Sequence, residues 1–415
     1  MMKHRAYTSV FRAHFSALAL SFVALTTWAQ QPTLTWLGVP DGTYRSFAYD
    51  ISADGKVVVG FARVQSDYPF DSRGFLWTRD RGFILVNNPG GVYSEAYAIS
   101  QDGLTMVGSR WRLGGAPLDA TQWTLAGGPL DLGLPVGGNV VPLALDVSYD
   151  GSVIVGFRSD VRAFIWRRDS GLTYPGTLGG NQSRALGVSA NGSIVVGWAQ
   201  DRSGERLAFR WTQQDGMRSL GTTIVFGGDA VFQFDQSEAS GISPDGNVIV
   251  GIAYNRDRNA AVGFRNILQG TQRVNIGLGN PPAGFTGVYP RRTNQDGSII
   301  VGSMRKRDGS LRAMRWTQAG GLEDLNVTYA SLLEEGDLLV EAFDITPDGR
   351  YIVGWGVKDV TPRGLSDGGS RREVWQGFIL DTGVCNLPAD VDGNGIVNDQ
   401  DLLQVLFEFG NRCGQ

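Results

Sequence analysis

One nine-residue pattern recurs seven times, and it limits what this chain can fold into more than any other feature. It begins with Ser, Thr or Asn, reaches Asp-Gly or Asn-Gly at positions three and four, runs through three mostly apolar or β-branched residues, and closes on Gly. The copies are Ser52–Gly60, Ser100–Gly108, Ser148–Gly156, Ser189–Gly197, Ser243–Gly251, Asn294–Gly302 and Thr346–Gly354. Successive closing glycines are 48, 48, 41, 54, 51 and 52 residues apart. Asp-Gly and Asn-Gly tolerate positive φ and mark tight turns between extended segments. The Ser, Thr or Asn ahead of them can bond to the turn backbone. An apolar run without alternation predicts a strand buried on both faces. The closing Gly predicts a bulge or a close backbone approach.

A second motif follows each copy: Phe75-Leu-Trp77, Thr121-Gln-Trp123, Phe164-Ile-Trp166, Phe209-Arg-Trp211, Phe264-Arg-Asn266, Met314-Arg-Trp316 and Phe378-Ile-Leu380. Its bulky residues stand two apart, which places them on one face of a strand. The fixed slot of the Trp residues argues for core packing over carbohydrate stacking. A third motif ends in a Leu-Gly-like pair, as at Leu132-Gly133, Leu178-Gly179 and Leu220-Gly221. Each unit thus predicts about four short strands, the size of a propeller blade. The seventh unit lacks the third motif, whereas the chain begins with a spare one, Leu34-Thr-Trp-Leu37-Gly38. The expectation is an all-β fold: a seven-bladed β-propeller over residues 30–383, closed by an N-terminal strand, plus a small C-terminal calcium loop–helix. An open β-solenoid is the alternative, although solenoid repeats are commonly shorter and more even.

The ends of the chain read differently. Lys3, Arg5 and Arg12 precede the apolar run Phe15–Val23, and Thr27-Trp28-Ala29 offers a cleavage site, the layout of a signal peptide over residues 1–29. That run is too short to span a bilayer. The expectation is a secreted or cell-surface protein with no membrane span after processing. Cleavage leaves 34 basic against 41 acidic residues, a net charge of −7 without a basic patch, which disfavours nucleic-acid binding. Both histidines, His4 and His14, leave with the signal. A chain processed this way has no Ser-His-Asp or Cys-His catalysis and no His-ligated zinc.

The repeats resemble the bacterial extracellular family named for its His-Ala-Phe tripeptide. Arg162-Ala163-Phe164, Leu207-Ala208-Phe209 and the seven turn-strand-Gly motifs carry the likeness. The naming His is replaced throughout. The resemblance implies export and a repeated β-unit, and it implies no particular activity.

Residues 384–415 form a separate tail. A 12-residue calcium loop supplies oxygens from positions 1, 3, 5, 7, 9 and 12. Asp390, Asp392, Asn394, Ile396 (by its carbonyl), Asn398 and Asp401 stand there, with Gly395 at the sixth place. Leu402 to Phe409 then predict an amphipathic helix ended by Gly410. An Asp/Asn/Gly surface loop without metal is the bland alternative. The segment resembles one half of a type I dockerin, which implies calcium and a cohesin-like partner; dockerins carry two halves, and only one is present. Cys385 and Cys413 flank it, predicting a disulfide in an exported chain, with two free thiols as the alternative.

Three functions fit these readings. The first is a non-catalytic propeller that binds an extracellular protein or glycan, tethered or sorted through its tail. The second is a secreted carboxylate-dependent hydrolase acting on polysaccharide. The third is a structural surface component. Binding is expected on the long excursions 221–237, 278–289, 325–341 and 357–374. Their acids Asp229, Asp235, Glu334, Glu335, Asp337 and Glu341 are the candidates for carboxylate chemistry. The turn aspartates Asp54, Asp102, Asp150, Asp245, Asp296 and Asp348 are read as turn-formers.

Overall fold

The structure is a computed structural model that describes residues 31–65, 71–86, 93–111, 117–124, 128–134, 142–158, 160, 162–227, 230–256, 261–361 and 372–383. The signal segment, the calcium loop, both cysteines and Asp229 lie outside the described residues. Within them the chain runs as consecutive four-stranded antiparallel meanders over 43–85, 93–131, 142–173, 179–219, 236–277 and 285–324. The seventh contributes three strands, Leu338–Ile345, Tyr351–Asp359 and Glu373–Asp381, and takes its outer strand from the start of the chain. Thr33–Gly38 pairs antiparallel with Glu373–Asp381, Leu34 opposite Leu380 and Trp36 opposite Phe378. The spare third motif thus fills the place left empty at the end of the repeats.

The meanders pack face to face in chain order, and the seventh returns to the first. Val353 and Ile379 share one core with Val58, Ala62 and Phe75. Ser46 Oγ accepts from Gly377 N–H at 3.0 Å and donates to Gly38 O at 2.5 Å, tying both strands of the seam to the innermost strand of the first meander. The fifth and sixth meanders are also joined by the single parallel pair Ala261 opposite Gly287, between the third strand of one and the innermost strand of the other. The repeats predict seven units of about four short strands; the hairpin Thr223–Phe226 with Ala230–Gln233 is added beside the fifth.

Each repeated residue has a contact that explains it. The turn Ser and Asp lock the hairpin: Ser52 Oγ donates to Asp54 Oδ1 at 2.7 Å and accepts from Val57 N–H, while Asp54 Oδ1 accepts from Lys56 N–H at 3.0 Å. The turn Gly has positive φ, 68° to 77° at all seven positions. It also lies on the neighbouring meander: a β-carbon on Gly55, Gly151, Gly192, Gly246, Gly297 or Gly349 would fall within 3.0 Å of Tyr351, Thr105, Val153, Ile194, Val248 or Ile299. Gly103 has slightly more room, 3.4 Å from Ser52. The closing Gly backs onto a carbonyl of the innermost strand. A β-carbon at Gly60, Gly108, Gly156, Gly197, Gly251, Gly302 or Gly354 would overlap the carbonyl oxygen of Phe47, Glu95, Leu143, Arg184, Glu238, Tyr289 or Glu341. One residue later the innermost strand bulges, at Ala48/Asp50 in the first meander and at the matching place in the other six.

The second motif is buried more completely than alternation predicts. Phe75, Phe164, Phe209, Phe264 and Phe378 are wholly buried, and so is the middle Ile165, because a strand between two packed sheets has no free face. Trp77, Trp123, Trp211 and Trp316 are core residues, as their fixed slot implies. Asn266 takes the Trp place in the fifth meander, where Asn275 and Arg273 satisfy its amide at 2.8 and 2.6 Å.

Candidate functional site

In a meander all first-to-second and third-to-fourth strand turns lie at one end. The repeated Asp-Gly turns therefore share one face of the ring, the turn face. The links between meanders, and those between second and third strands, share the other, the loop face. All four long excursions fall on the loop face, and the innermost strands connect the two faces along the central channel.

At the turn-face end of the channel, three carboxylates converge with one guanidinium. Asp50, Asp146, Asp344 and Arg292 occupy the position after the bulge in their strands and line a space of about 520 Å³, open mouth included. Each Asp reaches across to the next meander: Ile99 N–H donates to Asp50 Oδ2 at 2.8 Å, Val188 N–H to Asp146 Oδ2 at 2.8 Å, and Ile51 N–H to Asp344 Oδ2 at 3.4 Å. Asp50 and Asp146 also accept the N–H of their own next residue at 2.8 and 3.0 Å. Burial, and then the facing carboxylate of Asp344, push the Asp50 carboxyl well above its usual range. Burial also raises Asp146, against the pull of Arg292, 3.7 Å away. Burial works against the charge on Arg292, yet Asp146, Asp344 and Asp50 hold it above the usual guanidinium range. These carboxylates clamp the ring: each accepts a backbone N–H from the next meander, and Asp50 and Asp146 accept a second from their own.

The loop-face mouth is built differently. Phe47 packs against both Trp355 and Trp375 at 5.5 and 6.3 Å, and the two indoles lie 4.8 Å apart. The Arg45 guanidinium sits 3.7 Å over Trp375. Deeper, Tyr49 stacks on Phe343 at 4.4 Å and meets Tyr97 edge-on at 5.5 Å. Glu95 and Glu341 act on Tyr49 from beside it, and Glu238 takes the equivalent place in the fifth meander. Each is held by an arginine: Glu95 by Arg63 at 3.0 Å, Glu341 by Arg291 at 2.6 Å, and Glu238 by Arg206 at 3.2 Å. Burial raises the Glu95 carboxyl, with Arg63, Tyr97 and Ser72 opposing. The mouth thus offers aromatic faces and fixed charges, the chemistry of binding.

The acids expected on the excursions do not converge. Asp337 and Glu334 both pair with Lys358, at 2.9 and 3.1 Å. Asp235 accepts the N–H of Arg256 at 2.9 Å, and Glu341 is paired with Arg291. The turn aspartates behave as turn-formers; at Asp54 burial is outweighed by the Ser52 hydroxyl and the Lys56 N–H, and the carboxyl falls below its usual range. The channel acids were missed by the sequence reading. Their signal was available: Asp50, Asp146 and Asp344 each stand two residues before the Ser or Thr that opens a repeat. Trp355 follows a closing Gly, as Phe61, Phe157 and Trp198 do, an aromatic signal that the sequence reading passed over; Trp375 lies outside the recurrent Trp slot.

No family model matches the chain, and no curated protein matches it. Among solved structures it is similar to an oligogalacturonate lyase in complex with manganese, with 14% identity over 86% of this chain and 94% of that one and a TM-score of 0.53. A hydrazine synthase of Kuenenia stuttgartiensis aligns at 13% identity over 76% of this chain and 94% of that one, TM-score 0.44. TolB of Acinetobacter baumannii aligns at 12% over 80% and 82%, TM-score 0.40. At such identities the likeness speaks for the fold alone. With the strand order and the packing of the last meander on the first, it makes this chain an all-β protein of the β-propeller type.

Proposed function

We propose that this protein is an exported, non-catalytic seven-bladed propeller that binds an extracellular glycan or protein at its loop-face mouth. The observation that carries the reading is the contrast between the two ends of the channel. The acids that could do chemistry are engaged as clamps between blades, while half-buried aromatic rings and Arg45 gather at the mouth. Export rests on the signal-like residues 1–29, and the non-catalytic reading on the absence of histidine beyond them. The tail 384–415 serves attachment or sorting. Its loop Asp390, Asp392, Asn394, Ile396, Asn398 and Asp401 supplies the oxygen donors that calcium requires, and Cys385 with Cys413 closes it.

The test is a glycan array and a pull-down from culture medium, run with and without calcium, on the mature chain and on Trp375→Ala. Binding lost with the indole supports the mouth as the site. Reducing-end release from a polysaccharide, abolished by Asp344→Asn, would replace this reading with the hydrolase. Blank arrays and pull-downs in every condition would leave the structural role. Calorimetry of the tail adds a separate check: heat on calcium addition that disappears with Asp390→Ala supports the loop, and no heat refutes it.

A further inference from the structure

The position whose carbonyl meets the closing Gly varies from blade to blade. It holds Glu95, Glu238 and Glu341 in three blades, each with an arginine partner. In the fourth blade the same position holds Arg184. Its guanidinium carbon lies 4.1 Å from the Phe157 ring centroid and 5.4 Å from that of Trp198. Arg206 covers the same indole at 4.3 Å, so two like charges share one buried ring. Arg184 makes no ion pair among the described residues, and its Nε is buried without a partner. Glu238, the acid acting on it, is already engaged by Arg206 at 3.2 Å and the Tyr254 hydroxyl at 2.6 Å. A guanidinium fixed by stacking on a ring, with no carboxylate on its edge, is preorganised to receive a planar or tetrahedral oxyanion in a forked pair of hydrogen bonds.

We propose that Arg184, seated on Phe157 and backed by Arg206, is an oxyanion subsite for an acidic saccharide, recognising the carboxylate of a uronic acid or a sulfate ester. The site lies at the seam of the third and fourth blades on the loop face. It rests on that face being the binding surface, and it adds the charge class of the ligand. Binding places the anion between Arg184 and Arg206 and relieves the repulsion of the two guanidinium groups over Trp198.

Calorimetric titration of the mature chain with glucuronate, glucose 6-sulfate and glucose tests it. At least one anion should bind about tenfold more tightly than glucose. Arg184→Gln should remove that preference, Arg184→Lys should keep part of it, and Arg218→Gln should leave it intact; Arg218 is exposed, and its loss changes the net charge equally. Leu143 stands at the equivalent position of the third blade, so an uncharged residue there is compatible with folding; matching melting curves confirm it. Glucuronate and glucose 6-sulfate separate the carboxylate from the sulfate ester. Equal binding of glucose and both anions, or equal losses in Arg184→Gln and Arg218→Gln, overturns the subsite while leaving a neutral-glycan mouth standing. Array hits confined to neutral glycans do the same.

Discussion

The two faces of this ring share strands, yet they are built by opposite rules. On the turn face every blade repeats the same contacts. A Ser, Thr or Asn holds the turn, a glycine lies on the first residue of the neighbouring central strand, and the second residue of one turn bonds to the next turn. Ala53 N–H donates to Gln101 O at 2.9 Å, Tyr149 to Ala190 O at 2.9 Å, Ala190 to Pro244 O at 2.9 Å, and Gln295 to Pro347 O at 2.9 Å. Asp102 supplies the matching bond to Tyr149 O at 3.2 Å. The belt stops after Pro244 and Pro347, which have no N–H to give. At those two seams side chains take over: Arg292 donates to Ser240 O at 2.6 Å, and Asp344 accepts from Ile51 N–H at 3.4 Å. On the loop face the corresponding positions are aromatic, acidic, basic or aliphatic by turns. Repetition marks what every blade needs in order to pack. Divergence marks where a ligand can be read.

The largest test of this contrast is a closing glycine. Gly354→Val drives a side chain into the Glu341 carbonyl and the Phe378 ring, so a loss of more than about 4 kcal/mol, or failure to fold, is expected in denaturant titration. A stable Gly354→Val would break the account of the bulge. Next comes Asp381→Ala. It removes the two-pronged partner of Arg350, whose Nε and Nη2 bond to both Asp381 oxygens at 3.0 and 2.8 Å with both side chains over 90% buried. About 3–5 kcal/mol should be lost.

A paired test then separates conformation from space. Gly192 and Gly171 have φ of 68° and 75°, but only Gly192 lies against a neighbour, Val153. Gly171→Ala should cost about 1–2 kcal/mol for the left-handed backbone, and Gly192→Ala clearly more. Equal costs would remove the packing half of the argument.

The channel gives a pH test. A carboxyl raised in the folded state binds its proton more tightly there than in the unfolded chain. Its contribution is therefore full at pH below the ordinary carboxylate pKa and is lost as pH rises through the raised value. Asp344→Asn gives Asp50 a permanent N–H donor and removes the facing charge. The wild type should lose stability relative to Asp344→Asn as pH rises above the ordinary carboxylate range of about 4; parallel melting curves would refute the raised Asp50 carboxyl. The smallest expected effect is Pro244→Ala, where about 1 kcal/mol from a restored belt bond is offset by about 0.4–1 kcal/mol of unfolded-chain entropy. Hydrogen exchange showing the N–H that this substitution introduces to be protected would sharpen the belt; rapid exchange would deny it.

Much of the fold was legible because the chain aligns with itself. Seven copies expose the turn chemistry, the doubly buried central strand and the spare strand at Leu34–Gly38, all local features that a repeat makes visible. The Trp slots read correctly as core for the same reason. Asp50, Asp146 and Asp344 went unread because only three blades carry them, and a residue present in a minority of copies looks like drift. The excursion acids looked like candidates because loop residues are free to serve function; their lysine and arginine partners, such as Lys358 for Asp337, lie on other strands and cannot be paired from sequence.

The sequence by itself determined the repeated unit, its turns and the order in which strands pair, because those depend on backbone conformations that Gly, Asp and β-branched residues impose within nine positions. Only the tertiary structure decided which residues meet in the channel and at its mouth. Asp50 faces Asp344 across nearly the whole chain length because closing the ring makes the first and last blades neighbours. Arg184 is left without a carboxylate because the acid at the same place in the next blade already belongs to Arg206.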